Sequence, residues 1–273
     1  MFECYLPACR GDSKQIWSAP VIIPRRWVRI APVSSIIRKK LSPRETRIDR
    51  AWASGRSRWI ALVIATVALA LCIFGGAVIN ATLAGKPTAV DEFLYRAIWG
   101  FRAPWLKGLS FVLNQAGGGV IALFIMPVIA AVVMLLTRGV WAALVVLPLR
   151  PLTQWAVETL KGLFERPRPP HREIAVALSS YPSGHSAVAA SLIVVLALLI
   201  RLRWFSLIGL IYVIAMGYSR LYLNVHWFTD ILAGTALGIA IGLVVWAVAG
   251  GFRSLVLRPR PYPRAFGSRW PTP

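Results

Sequence analysis

Residues 59–80 run for 22 positions without a charged side chain. A helix needs about 20 apolar residues to cross a hydrocarbon core about 30 Å thick, so no other feature constrains the fold as much. Further predominantly apolar runs follow at 120–136, 140–160, 186–200, 204–218 and 227–249. Pro127 sits inside the run at 120–136 as a tolerated kink. Hydrophobic residues make up 57% of the 273 and charged residues 15%, against an apolar share of about 45–50% in soluble domains. The reading is an all-α, six-transmembrane-helix bundle over 58–250, with a basic tail at 1–57 and another at 251–273.

Charge supplies the orientation. The formal net charge is +21, and residues 1–58 hold 13 Lys/Arg against 4 acids, while 252–273 hold 5 Arg and no acid. The tails and the short turns at Arg138, Arg201 and Arg203 carry 21 of the 31 basic residues. Six spans put both termini on one face, and the positive-inside rule makes that face cytoplasmic. The expectation is an integral protein of the plasma (inner) membrane, with the loops at 86–119, 161–182 and 219–226 facing outward. Segment 86–119 reads as a partly helical surface loop closed by Gly117-Gly118-Gly119, and 24–40 as a basic element lying on the membrane. Tails of this kind explain the excess charge without a nucleic-acid partner, and none is expected. Cys4, Cys9 and Cys72 suggest no disulfide framework. The first apolar patch, broken by Pro24 and arginines, does not read as a cleavable signal peptide. Arg150, deep in the third run, has no assigned task, although a charge at that depth usually faces a protein interior or an aqueous cavity.

Three polar clusters fall on the outward face. Lys161 is followed seven residues later by Arg168-Pro169. Pro182-Ser183-Gly184-His185 opens the fourth span, and Ser219-Arg220 precedes His226 and Asp230. Lys161, Arg168 and Arg220 supply three cations suited to the spread charge of a phosphate. Ser183 and Gly184 precede a helix N-terminus, whose amides and dipole favour an anion, and Gly184 lets the backbone approach a phosphate oxygen. Together these form an oxyanion site for a five-coordinate phosphoryl transition state. Asp230, four residues after His226, lies on the same helical face and can orient its imidazole, leaving His226 as nucleophile and His185 as general acid. No metal or other cofactor is needed, because the cations do the neutralising.

Singly, each cluster has an ordinary explanation. Lys161 and Arg168 suit interfacial snorkelling, Ser183 a helix cap, and His226 with Asp230 a structural pair. Two of only three histidines nevertheless fall within the clusters. The third, His171, reads as a solvated loop residue, and Glu158, Glu165, Arg166 and Arg172 as loop or rim charges.

The order Lys-x6-Arg-Pro, Pro-Ser-Gly-His and Ser-Arg-x5-His-x3-Asp resembles the signature of the type 2 phosphatidic acid phosphatase family, over roughly residues 59–249. The resemblance implies a helical bundle with its site at the outer membrane face. It also implies metal-independent hydrolysis of a phosphomonoester or pyrophosphate. By it Lys161, Arg168, Ser183, Gly184 and Arg220 bind phosphate, His185 is the acid, His226 the nucleophile and Asp230 its orienter. The expected partners are membrane lipids and a phosphorylated lipid substrate: phosphatidic acid, phosphatidylglycerol phosphate or a polyprenyl pyrophosphate. Vanadate-dependent haloperoxidases share the signature but are soluble, which the six spans oppose. A lipid-binding or transport protein that inherited the site is the alternative outside catalysis.

Overall fold

The computed structural model describes residues 54–118 and 121–256. The tail segments 1–53 and 257–273, with the surface element expected at 24–40, lie outside the described residues, as does Gly119. All regular structure among the described residues is helical. In chain order the helices are α1 (Gly55–Leu83), α2 (Ala89–Gly100), α3 (Pro104–Gly117), a π-helical turn (Ile121–Ile125), α4 (Met126–Arg138) and α5 (Val140–Val146). They continue with α6 (Leu149–Phe164), α7 (Gly184–Ile200), α8 (Arg203–Tyr222) and α9 (Phe228–Val256).

Among the described residues, four stretches are long and apolar enough to cross a membrane: Gly55–Leu83, Val140–Phe164, Arg203–Tyr222 and Phe228–Ser254. Met126–Arg138 and Gly184–Ile200 are apolar but shorter. The outer surface is that of a protein solvated by lipid. Trp59, Val63, Val67, Leu71 and Phe74 of α1, and Leu207, Ile211 and Ile214 of α8, are all exposed. An apolar surface this continuous is an aggregation hazard in water.

Because lipid is as apolar as leucine, helices in a membrane associate through close contact rather than hydrophobic burial, and small residues permit it. The seam between α7 and α9 is built that way. Gly234, Gly238 and Gly242 recur every fourth residue on α9 and press on the backbone of Ser183, Ala187 and Ser191, which share the same spacing. A Cβ on Gly234 would lie 2.3 Å from the Ser183 carbonyl oxygen, and one on Gly238 2.1 Å from that of Ala187. The pairings advance in the same direction along both helices, so α7 and α9 are parallel and start at the same end. Helix α6 runs antiparallel to α7: Val157 faces Gly184, and Thr153 Oγ1 donates to Ser191 Oγ. The end of α6 is thereby delivered to the beginnings of α7 and α9.

The segment expected as a surface loop contains two of the helices. Helix α2 opens on a capping box, in which the Asp91 amide donates to Thr88 Oγ1 at 3.2 Å and the Thr88 amide donates to Asp91 Oδ2 at 3.0 Å. Tyr222 at the end of α8 donates to the Ala103 carbonyl at 2.8 Å. Arg102 and Lys107 both pair with Glu173, at 2.6 and 2.9 Å. These bonds tie α2, α3 and the 165–183 loop over one end of the bundle.

Candidate active site

The three sequence clusters meet at that end. A cavity of about 230 Å³ is lined by Lys161, Arg168, Gly184, His185, Arg220 and His226, together with Gly117, Gly118, Arg150 and Gln154. Lys161 comes from the last turn of α6, Arg168 from the following loop and Arg220 from the last turn of α8. Helix α7 begins at Gly184 without a side-chain cap, so its first amides remain available to an anion. Ser183 and Asp230 do not line the cavity. Ser183 is buried with its hydroxyl 3.1 Å from Ser186 Oγ, and its amide donates to the Asp230 carbonyl at 3.0 Å. His171 is exposed in its loop, its ring 5.4 Å from that of Trp99.

His226 is buried in the short turn before α9. Its Nε2 lies 3.3 Å from Arg168 Nη1 on the cavity side, and its Nδ1 lies 3.6 Å from Asp230 Oδ2. The second distance is ion-pair range, longer than a hydrogen bond. That carboxylate oxygen instead accepts the Trp227 amide at 2.9 Å. Burial, chiefly, pushes the His226 pKa down to about 4, although Asp230 works in the opposite direction. The imidazole is therefore neutral at pH 7, as a nitrogen nucleophile must be. Burial also brings Arg168 down to about 10, which leaves it a cation at neutral pH. Arg168 is held by the carbonyls of Ala177 and Val225, both at 2.5 Å.

A prediction follows from the His226 environment. With ¹⁵N-histidine labelling, the imidazole signals of the three histidines are followed against pH. One is expected to gain its proton only near pH 4 and to vanish in His226→Ala. A His226 signal titrating near 6.5 would contradict the buried, neutral state.

Sequence reasoning missed three features here. The first is Arg166, expected as a rim charge and in fact 2% exposed. Its Nη1 pairs with Asp230 Oδ1 at 2.6 Å and its Nη2 with Asp91 Oδ2 at 2.8 Å. It also donates to Thr229 Oγ1 and to the carbonyls of Gly85 and Lys86. Asp91 accepts from the Thr229 amide and hydroxyl besides. Burial acts to raise the Asp91 pKa, but these bonds with those from Thr88 and Arg166 outweigh it and hold the carboxyl below its ordinary range. The Arg166-Pro-Arg168-Pro doublet was visible in the sequence, but its partners are not: Asp91 is 75 residues away.

The second is Asn114 of α3. Its side-chain oxygen accepts from Arg220 Nη1 at 2.7 Å, and its carbonyl lies 3.3 Å from His185 Nε2. One residue thus sets two cavity groups, and no spacing rule announces it.

The third is the glycine pair at the end of α3. A Cβ on Gly117 would lie 2.7 Å from His185 Cδ2 and 2.8 Å from Met216 Cε, and one on Gly118 2.9 Å from His185 Nε2. The glycines leave room for the imidazole. Gly117→Ala is expected to displace it and lower kcat roughly 10- to 100-fold, the usual effect of a misplacement near 1 Å. Steady-state kinetics on folded protein tests this, and unchanged kcat would show that His185 need not hold its place.

The arrangement suits an anion: four guanidinium or ammonium groups, a helix N-terminus and two imidazoles, that of His226 neutral, line one cavity. Among the described residues no group of three or more His, Cys, Asp or Glu converges as for a metal ion.

Comparison with known proteins agrees with this chemistry. The family model of the PAP2 superfamily matches residues 139–254. Phosphatidylglycerophosphatase B of Bacillus subtilis is 30% identical over 167 residues, covering 58% of this chain and 82% of that protein. An undecaprenyl-diphosphatase of Sulfolobus acidocaldarius is 42% identical over 59 residues, 22% of this chain and 28% of that protein. In structure the chain is similar to a transmembrane PAP2-type phosphatidylglycerolphosphate phosphatase from Bacillus subtilis. The TM-score is 0.60 at 25% identity, over 72% of this chain and 98% of that one. With its motifs gathered around one cavity in an all-helical membrane bundle, the chain belongs to the PAP2 superfamily, a family of phosphatases, and is itself a phosphatase.

Proposed function

We propose that this phosphatase removes the terminal phosphate of a phosphorylated membrane lipid by way of a phosphohistidine. The observation that carries the reading is His226 Nε2, neutral and turned toward a cavity that Lys161, Arg168 and Arg220 also line. Those three cations and the amides at Gly184 hold the phosphoryl oxygens, with Ser183 setting the start of α7. Nε2 attacks phosphorus as the bond to the leaving oxygen breaks. The electron pair stays on that oxygen, which takes a proton from His185. Asp230 favours the imidazole tautomer with its proton on Nδ1 and stabilises the positive charge that develops. Water then attacks the phosphohistidine, giving up a proton to restore His185, and inorganic phosphate leaves with His226 free again.

The lipid character of the substrate is supported by the setting, a cavity at one end of helices whose outer faces are apolar, and by the lipid phosphatases among the relatives. In this reading the bundle crosses the membrane six times, the two shorter apolar helices completing the four long ones. Residues 58–250 form the phosphatase domain between cytoplasmic tails, and the distribution of lysine and arginine turns the site outward.

The test is phosphate release by detergent-purified protein from phosphatidic acid, phosphatidylglycerol phosphate and a polyprenyl diphosphate, with a strong chelator present. Release from at least one lipid is expected. Loss of activity restored by a divalent ion would point to metal-assisted hydrolysis instead. Silence of the folded protein on every lipid would favour the lipid-binding alternative.

A further inference from the structure

Arg150 belongs to the cavity but to none of the three motifs. On α6 it lies four residues before Gln154 and eleven before Lys161, and all three side chains line the same cavity. This spacing puts them on one helical face, while Leu152 and Trp155 lie exposed on the surface of the bundle. The Arg150 guanidinium donates through Nη1 to Gln154 Oε1. Gln154 in turn donates to Glu158 at 2.7 Å, and Glu158 accepts from Lys161 at 3.0 Å. The one carboxylate of this ladder therefore pairs with Lys161. Among the described residues none pairs with Arg150, whose buried Nε has no hydrogen-bond partner. A cation inside an apolar span is costly and marks a task. Gln154, bonded through its amide oxygen, steadies the guanidinium without neutralising it.

The position of Arg150 says which part of a substrate it meets. Because α6 and α7 are antiparallel, with Val157 at Gly184 and Thr153 at Ser191, Arg150 lies deeper in the bundle than His185. Gly234 is level with Ser183, so His226, ahead of α9, lies beyond the start of α7, with His185 between it and Arg150 along the bundle. An in-line displacement places the leaving oxygen opposite the attacking nitrogen, so a leaving group moving away from His226 passes His185 and then reaches Arg150. A guanidinium with open donors suits a phosphate by charge and geometry.

We propose that Arg150, steadied by Gln154, binds a second phosphate carried on the leaving side of the substrate, so that the enzyme selects lipids with two phosphates over lipids with one. The inference rests on the phosphatase reading above and on its assignment of His226 and His185. Two lipid classes carry the required group. In a polyprenyl diphosphate the second phosphate is the leaving group itself, and in phosphatidylglycerol phosphate it is a phosphodiester a few bonds further on.

The experiment compares kcat/KM of the full-length protein and its Arg150→Gln and Arg150→Lys variants on a polyprenyl diphosphate, phosphatidylglycerol phosphate and phosphatidic acid. Inorganic pyrophosphate and inorganic phosphate serve as competing inhibitors. For Arg150→Gln, preference for a two-phosphate lipid over phosphatidic acid is expected to fall on the order of 10- to 100-fold, the worth of a charge-assisted hydrogen bond or two. Arg150→Lys is expected to recover part of it, and the advantage of pyrophosphate over phosphate as inhibitor should shrink in parallel. Whichever lipid loses most identifies the source of the second phosphate. Equal losses on all three lipids would make Arg150 a structural residue, and an unchanged preference would leave it outside the binding site; either overturns the proposal. Wild-type protein that releases phosphate from phosphatidic acid as well as from the other two would overturn the selectivity while leaving the phosphatase reading intact. No release from any lipid would remove that reading as well.

Discussion

Replacing His226 by alanine is expected to lower phosphate release at least ~10⁴-fold while the protein stays folded, since it removes the nucleophile of the proposed scheme and with it every step that depends on it. The fold should survive because the change orphans no charge. Asp230 keeps its bonds to Arg166 and to the Trp227 amide, and Arg168 keeps the carbonyls of Ala177 and Val225. Turnover on the preferred lipid, with thermal unfolding measured alongside, checks both halves. Wild-type turnover in this variant would mean that another group, or water directly, attacks phosphorus, and the phosphohistidine scheme would fall.

The second large effect is expected at a residue outside the cavity. Arg166→Ala leaves Asp91 and Asp230 buried with their counter-ion gone, and breaking such a pair from one side typically costs about 3–5 kcal/mol. Against a total stability of roughly 5–15 kcal/mol for a protein domain, that is a large fraction, enough at the low end of the range to unfold much of the population. In the proposed scheme the consequence reaches catalysis, because the same guanidinium holds the carboxylate behind His226. Arg166→Lys keeps the charge but has lost the planar fork that reaches Asp91 and Asp230 together. It is expected to recover part of the stability and less of the turnover. Thermal unfolding and activity of both variants test this, and an Arg166→Ala protein as stable as wild type would show that the network contributes no net stability.

The two variants separate what was legible in the residues from what was not. His226, His185 and the three cations were legible because their spacing is local: a histidine four residues before an aspartate, a serine and glycine ahead of an apolar run, a lysine seven residues before an arginine. Such patterns constrain which side chains share a helix face or end, and the cavity assembles those residues. Arg166 was misjudged for the opposite reason. Whether an arginine in a loop is solvated or buried depends on what arrives from elsewhere, and here Asp91 and Asp230 arrive from 75 and 64 residues away. Ser183 shows a gentler version: its place at the start of α7 was readable, but not its hydroxyl turned toward Ser186.

By itself, then, the sequence determined the membrane setting, the helical class and several of the residues that gather at the cavity, because hydropathy and short-range periodicity are properties of consecutive residues. Tertiary structure alone decided which residues wall the cavity, the pairing of Arg166 with two acids, the contacts of Asn114 and the place of Arg150 in the cavity lining. The physical reason is the packing of α6, α7 and α9. Small residues let α7 and α9 lie backbone to backbone in parallel, α6 descends antiparallel beside α7, and only that juxtaposition brings distant charges into low dielectric, where each must find a partner or a ligand.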